Sequence, residues 1–200
     1  MTSGSIWKQM TFFAMPIFLG NLFQQLYNTV DSLIVGNFLG SSALAAVSSS
    51  GSLIFMLIGF LSGISAGAGV IVARFFGAGD EKNLQRAVHT TVAFGLVAGV
   101  LMTGVGVALS PQILRWMDTP ESVMRESVTY LQIYFAGSLG FVMYNVLVGI
   151  LQAVGDSRHP LYYLIVSSVI NLVLDLLFIT GFHTGVGGAA VATVISQIVS

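Results

Sequence analysis

The chain has 200 residues, 55% of them hydrophobic and 8% charged, with a net charge of -1 and no cysteine, and its mean hydropathy is +0.89. Ordinary soluble domains carry roughly 25% charged residues, so this composition excludes a soluble globular domain and reads as a membrane protein. No sustained basic run supports nucleic-acid binding, and without cysteine there are neither disulfides nor thiolate metal sites, which leaves the redox compartment undetermined.

The few charges cluster. No Asp, Glu, Lys or Arg lies between Lys8 and Asp31, Asp31 and Arg74, Arg86 and Arg115, Glu126 and Asp156, or after Asp175. Those gaps fit segments of about 20 residues, the length that crosses the hydrocarbon core. The spacing predicts an all-α, polytopic transmembrane bundle of six spans in a lipid bilayer, multi-pass in the plasma membrane. The N-terminus shows no basic region followed by a short apolar core and a cleavage site, so the first span is expected to act as the targeting signal.

In chain order, Met1 to Lys8 reads as a short polar lead with Trp7 at the interface. Span one covers about 11–38, with Pro16 and Gly20 as kink points. Along it Asn21, Gln24, Gln25, Asn28, Asp31 and Ser32 recur at offsets 0, 3, 4, 7, 10 and 11, one polar stripe on an apolar helix. An intramembrane carboxylate at the end of such a stripe is a functional residue by default. Residues 39–50, small and uncharged, read as a tight connection. Span two, about 51–76, carries Gly59, Gly63 and Gly67, a small-residue ridge against which a neighbouring helix can pack closely. Gly77-Ala78-Gly79 ends it, and Asp80 is placed to cap the next helix.

Span three, about 87–109, repeats the device with Gly95 and Gly99. Residues 110–126 read as the longest polar connection, a short amphipathic interfacial piece. Span four covers about 127–154, and its Tyr130, Tyr134, Phe135, Phe141 and Tyr144 read first as bundle packing, with cavity lining as the alternative. A Gly155-Asp156-Ser157-Arg158-His159-Pro160 turn precedes span five, about 161–182. The sixth span starts near Val186 and has about 15 residues where about 20 are needed; the chain is therefore expected to be a fragment of a longer protein.

Lys8, Arg74, Lys82, Arg86 and Arg158 fall on one side of this arrangement, Arg115 and Arg125 on the other. The positive-inside rule puts the N-terminus in the cytoplasm, so spans one, three and five run outward. Asp31 lies seven residues before Phe38 and Asp175 seven before Phe182, while Thr193 lies seven after Val186 on an inward-running helix. All three are thus expected in one layer, roughly 10 Å below the outer end at 1.5 Å per residue. Asn171 stands one turn from Asp175 on the same face. Two carboxylates in one desolvated pocket resist a double negative charge, so such a set either loads and releases a proton or offers oxygen ligands to a monovalent cation such as sodium. Asn21, Gln24, Gln25 and Asn28 divide between helix packing and substrate-cavity lining. His89, His159 and His183 share no ligand spacing and read as interfacial.

Val30-Asp31-Ser32-Leu33-Ile34-Val35-Gly36, Leu44-Ala45-Ala46-Val47-Ser48, Gly155-Asp156-Ser157-Arg158-His159-Pro160, Asn171-Leu172-Val173-Leu174-Asp175 and Gly187-Gly188-Ala189-Ala190-Val191-Ala192-Thr193 together resemble the N-terminal half of a multidrug and toxic compound extrusion transporter. The resemblance covers essentially the whole chain. It implies one lobe of a two-lobe, twelve-helix antiporter, residues 1–200 forming the N-terminal lobe with a C-terminal lobe missing, that exports small amphipathic or cationic substrates in exchange for protons or sodium ions. On it, Asp31, Asn171, Asp175 and Thr193 match the family's cation site. It implies no enzyme, no catalytic residue, and no cofactor or metal other than the coupling ion.

Two rivals come from other classes. Gly77-Ala78-Gly79-Asp80 spells the Gly-x-Gly-Asp of intramembrane aspartyl proteases, but Glu81 and Lys82 follow it in a solvated loop. A lipid-linked sugar flippase of the same superfamily would line its cavity with arginine to hold pyrophosphate. Apart from Arg74 at the cytoplasmic end of span two, no Arg or Lys lies within a predicted span, which favours cationic or neutral cargo.

Overall fold

A computed structural model describes residues 5–200. The first four residues of the expected polar lead lie outside that range, and after the extended Ser5 the rest of it is helical: α1 (Ile6–Leu39) already includes Trp7 and Lys8. There follow α2 (Ser41–Ala78), α3 (Glu81–Trp116), α4 (Glu121–Ala136), α5 (Ser138–Ala153), α6 (Arg158–Leu176) continuing into a π turn (Leu177–Gly181), and α7 (Gly185–Val199). These make six helical segments, α4 with α5 and α6 with its π turn each counting as one. Two long helices and one bent pair are apolar enough to cross a membrane on their own, as is α6 with its π turn. The polar stripe makes α1 less apolar than these. Large hydrophobic side chains away from the central cavity are exposed, Phe60 at 68% and Val97 at 61%, as expected where the solvent is lipid.

Three boundaries differ from the sequence reading. The connection expected over 39–50 reduces to Gly40 at φ +89°, and α2 starts at Ser41. Its Ala- and Ser-rich opening holds no proline and propagates the helix to the turn. The interfacial piece expected over 110–126 is instead helix with a short turn at 117–120, because α3 runs through Pro111. A proline leaves the carbonyl four residues earlier without its helical donor, and Gln132 Nε2 donates to that carbonyl, Val107 O, at 3.4 Å. Span four breaks at Gly137, where α4 and α5 bend by 50°. At the kink, the hydroxyls of Ser138 and Thr103 hydrogen-bond at 2.9 Å. α1, in contrast, continues unbroken past Pro16 and Gly20.

The expected caps are present. Gly79 ends α2 at φ +68°. Asp80 caps α3, accepting from the Asn83 backbone N–H at 3.1 Å and from Asn83 Nδ2 at 2.7 Å, and these bonds hold its carboxyl below the usual carboxylate range. Asp156 performs the same service for α6, accepting from the N–H groups of Arg158 and His159 at 3.1 and 3.2 Å and pairing with the His159 ring. His159 is thus part of a helix cap.

The two glycine ridges behave differently. On α3, a Cβ at Gly99 would stand 2.6 Å from Leu139 Cδ1 and 3.1 Å from its Cα, and one at Gly95 would stand 2.9 Å from Val146 Cγ2. Gly106 extends the ridge against Phe135. The α2 ridge expected to receive a neighbour receives none among the described residues, for Cβ atoms at Gly59, Gly63 and Gly67 would meet nothing within 4 Å.

Candidate functional site

α1, α6 and α7 converge on one buried polar cluster. Asp175, in the last α-helical turn of α6, is fully buried, Asn171 one turn earlier is 1% exposed and Thr193 on α7 is 8% exposed. Asp31 of α1 reaches the same point, and the Asp31 and Asp175 carboxyls face each other within hydrogen-bonding reach. Two carboxyl groups can hydrogen-bond only by holding a proton between them. The Asn171 amide is assigned with Nδ2 toward Asp175, the orientation that satisfies both of its ends. In it Nδ2 donates to Asp175 Oδ2 at 2.6 Å, while Oδ1 accepts from the Thr193 backbone N–H and from the Tyr27 hydroxyl, each at 3.2 Å. Thr193 Oγ1 donates to Ala189 O at 3.0 Å.

Asp31 Oδ1 and Asp175 Oδ1 are buried and have no hydrogen-bond partner among the described residues. An unpaired carboxylate oxygen away from water is costly. The two carboxyls, with the Thr193 hydroxyl nearby, fit a proton or a small hard cation, which would neutralise the pair.

In front of this cluster opens a cavity of about 1030 Å³. Its wall contains Asn21, Gln24, Gln25, Asn28 and Asp31, the whole α1 stripe together with Ser32, and from α5 it contains Tyr144. Asp31 and Thr193 border the cavity, whereas Asn171 and Asp175 stand behind them. The four residues derived from depth are therefore brought together, and of the five cavity candidates Asn21, Gln24, Gln25 and Asn28 line the cavity from α1 and Tyr144 from α5. Among the described residues, no Lys, Arg or His lines the cavity.

Three tyrosines complete the site. Tyr27 went unread, although it stands four residues before Asp31 on the same helix, the separation at which side chains meet. Tyr130 and Tyr134 of α4, read first as packing, also line the cavity beside the acid pair, their rings stacked with centroids 6.5 Å apart. Phe135, in contrast, packs into a buried cluster with Leu114 and Leu131.

The comparisons with known proteins agree with this architecture. The MatE family model matches residues 16–177. The probable multidrug resistance protein YoeA of Bacillus subtilis is 38% identical over 198 residues, covering 97% of this chain and 43% of its own length. The probable multidrug resistance protein NorM of Thermotoga maritima is 29% identical, with 96% of this chain and 42% of its own length covered. A crystal structure of a MATE protein in the bent conformation superposes with a TM-score of 0.91 at 29% identity, over 98% of this chain and 44% of that one. The chain thus spans a little under half the length of the proteins it matches, and those relatives are transporters and not enzymes. On the family match and on a fold shared with solved members over nearly every residue, the chain belongs to the MatE family of multidrug and toxic compound extrusion transporters, as its N-terminal lobe.

Proposed function

We propose that this chain is the cation-coupling lobe of an exporter that expels amphipathic or cationic compounds in exchange for protons or sodium ions. The observation that carries the reading is the position of Asp31, which belongs at once to the cavity wall and to the buried acid pair. A cation on the pair and a cationic cargo in the cavity then draw on the same negative charge. Loading the pair removes that charge, weakens the hold on cargo and relaxes the two unpaired carboxyl oxygens. Such competition is the elementary step of exchange by alternating access.

That none of the described residues lining the cavity is basic supports a cationic or neutral cargo, since an anionic one would need a counter-charge. Tyr130, Tyr134 and Tyr144 offer ring faces to an organic cation. A second lobe closing over the open side of the cavity completes the transporter in this reading. The N-terminus is cytoplasmic and the membrane is the plasma membrane.

The test uses the full-length protein in proteoliposomes with ethidium as cargo. Imposed proton and sodium gradients are expected to drive export, and Asp31→Asn with Asp175→Asn to lower it at least tenfold, as loss of buried charge partners does. A double variant that retains full ion-driven export would sink the proposal, and the gradient that drives the wild type identifies the ion.

A further inference from the structure

We infer that Gly137, the elbow between α4 and α5, is a positioning residue of the cation site, acting through Val194 to hold Thr193 against Asn171. The inference rests on the coupling role given above to the acid pair.

Thr193 and Val194 are neighbours on α7, and successive residues of a helix point about 100° apart. With Thr193 turned to Asn171 on α6, Val194 is turned to the elbow. There the approach is closer than any side chain at position 137 would allow. A Cβ at Gly137 would stand 2.4 Å from both γ-carbons of Val194 and 2.9 Å from its Cβ. Four residues on, Ile198 repeats the contact on Gly140, with Cγ1 3.0 Å and backbone N 3.9 Å from where a Cβ would be. Val194 and Ile198 lie on one face of α7. That face is therefore seated on two bare glycines, the first of them at the 50° bend.

The seat leaves little slack at the cation site. The contact from Asn171 Oδ1 to the Thr193 backbone N–H is already 3.2 Å. Relieving a 2.4 Å contact to an ordinary van der Waals distance takes about 1 Å of movement by α7, and a hydrogen bond lengthened that far is lost. Thr193 would then withdraw from Asn171, and Asn171 from the partner that aligns it with Asp175. The elbow also carries Tyr134 just before it and Phe141 just after it, both in the cavity wall, their rings 6.2 Å apart. Gly137 thus sets the cation site and the cavity wall against each other through one backbone contact.

The experiment measures the midpoint of the sodium or proton dependence of ethidium export by the full-length protein in proteoliposomes, beside thermal stability. Gly137→Ala is expected to shift the midpoint about tenfold, the effect of losing one hydrogen bond in a buried network. Gly137→Ala combined with Val194→Gly, which removes both the methyls and the Cβ that the new side chain strikes, should restore it to within about twofold of wild type. A purely structural glycine would lower thermal stability without moving the midpoint. A folded Gly137→Ala with an unmoved midpoint overturns the inference, as does a shift that survives in the double variant. Should Gly137→Ala fail to fold, Val194→Ala alone decides: the gap it opens at the seat should shift the midpoint about threefold, and an unchanged midpoint overturns the inference. If Asp31→Asn with Asp175→Asn keeps the ion dependence, both the coupling role and the elbow's part in it fall. If that variant abolishes the dependence and Gly137→Ala leaves it untouched, only the elbow inference falls.

Discussion

α2 and α3 carry the same signal and use it differently. Each is a long apolar helix with glycines four residues apart, Gly59, Gly63 and Gly67 on one, Gly95 and Gly99 on the other. On α3 the ridge is occupied by α5, with Leu139 and Val146 pressed so close that a methyl would overlap them, and Gly106 takes the ring of Phe135 from α4 in the same way. On α2 the ridge lies open. In a membrane the hydrophobic effect does not drive helices together, so close approach has to come from shape. Glycine spacing therefore records which surface can be approached. Which helix arrives is decided by the rest of the fold.

The largest effect that would sharpen this contrast is expected at Gly106. Its Cβ would stand 2.1 Å from Phe135 Cδ1 and 2.3 Å from Cγ, so the base of the ring is in the way as well as its edge. Phe135 is 3% exposed and locked between Leu114 and Leu131. Gly106→Ala should cost about 1–3 kcal/mol, the usual range for overpacking, and thermal unfolding in detergent would show it. A cost of Gly106→Ala that disappears when it is measured in a Phe135→Ala background would be assigned to that contact. Gly99→Ala comes next, at about 1–2 kcal/mol, since Leu139 Cδ1 can swing away but its Cα at 3.1 Å cannot. Stability unchanged by both substitutions would break the contrast, because α3 would then be no more tightly held than α2.

The same distinction explains what could be read in advance. Charge gaps located the six segments because the hydrocarbon core penalises charge wherever a helix goes, a constraint that acts on local sequence. Asp31, Asn171, Asp175 and Thr193 were legible for a related reason: depth along a spanning helix follows from residue count alone. Tyr27 was missed although its i, i+4 relation to Asp31 was available, because tyrosine on an apolar helix ordinarily reads as packing. Tyr130 and Tyr134 depend on which way α4 faces, and that follows from the bend at Gly137. The bend has only an ordinary glycine to announce it, on a chain with 23 of them. The boundaries at Gly40 and at residues 117–120 escaped because small or mixed-polarity residues extend a helix as readily as they end one once the neighbours supply hydrogen bonds, as Gln132 does for the carbonyl freed by Pro111.

The smallest expected effect has the opposite sign. At Gly59 and Gly63 the added methyls meet no atom within 4 Å, so the substitution acts through the backbone, where alanine is the better helix former by roughly 0.5–1 kcal/mol per site. Gly59→Ala with Gly63→Ala should leave thermal stability unchanged or raise it, under the conditions in which Gly106→Ala and Gly99→Ala lower it. Only the sign is needed, which makes the comparison robust to the absolute scale of unfolding in detergent. A clear loss of stability would mean that the α2 ridge is occupied in the working protein by a partner from outside these 200 residues. In that case the two helices would obey one rule, and the openness of α2 would mark an interface.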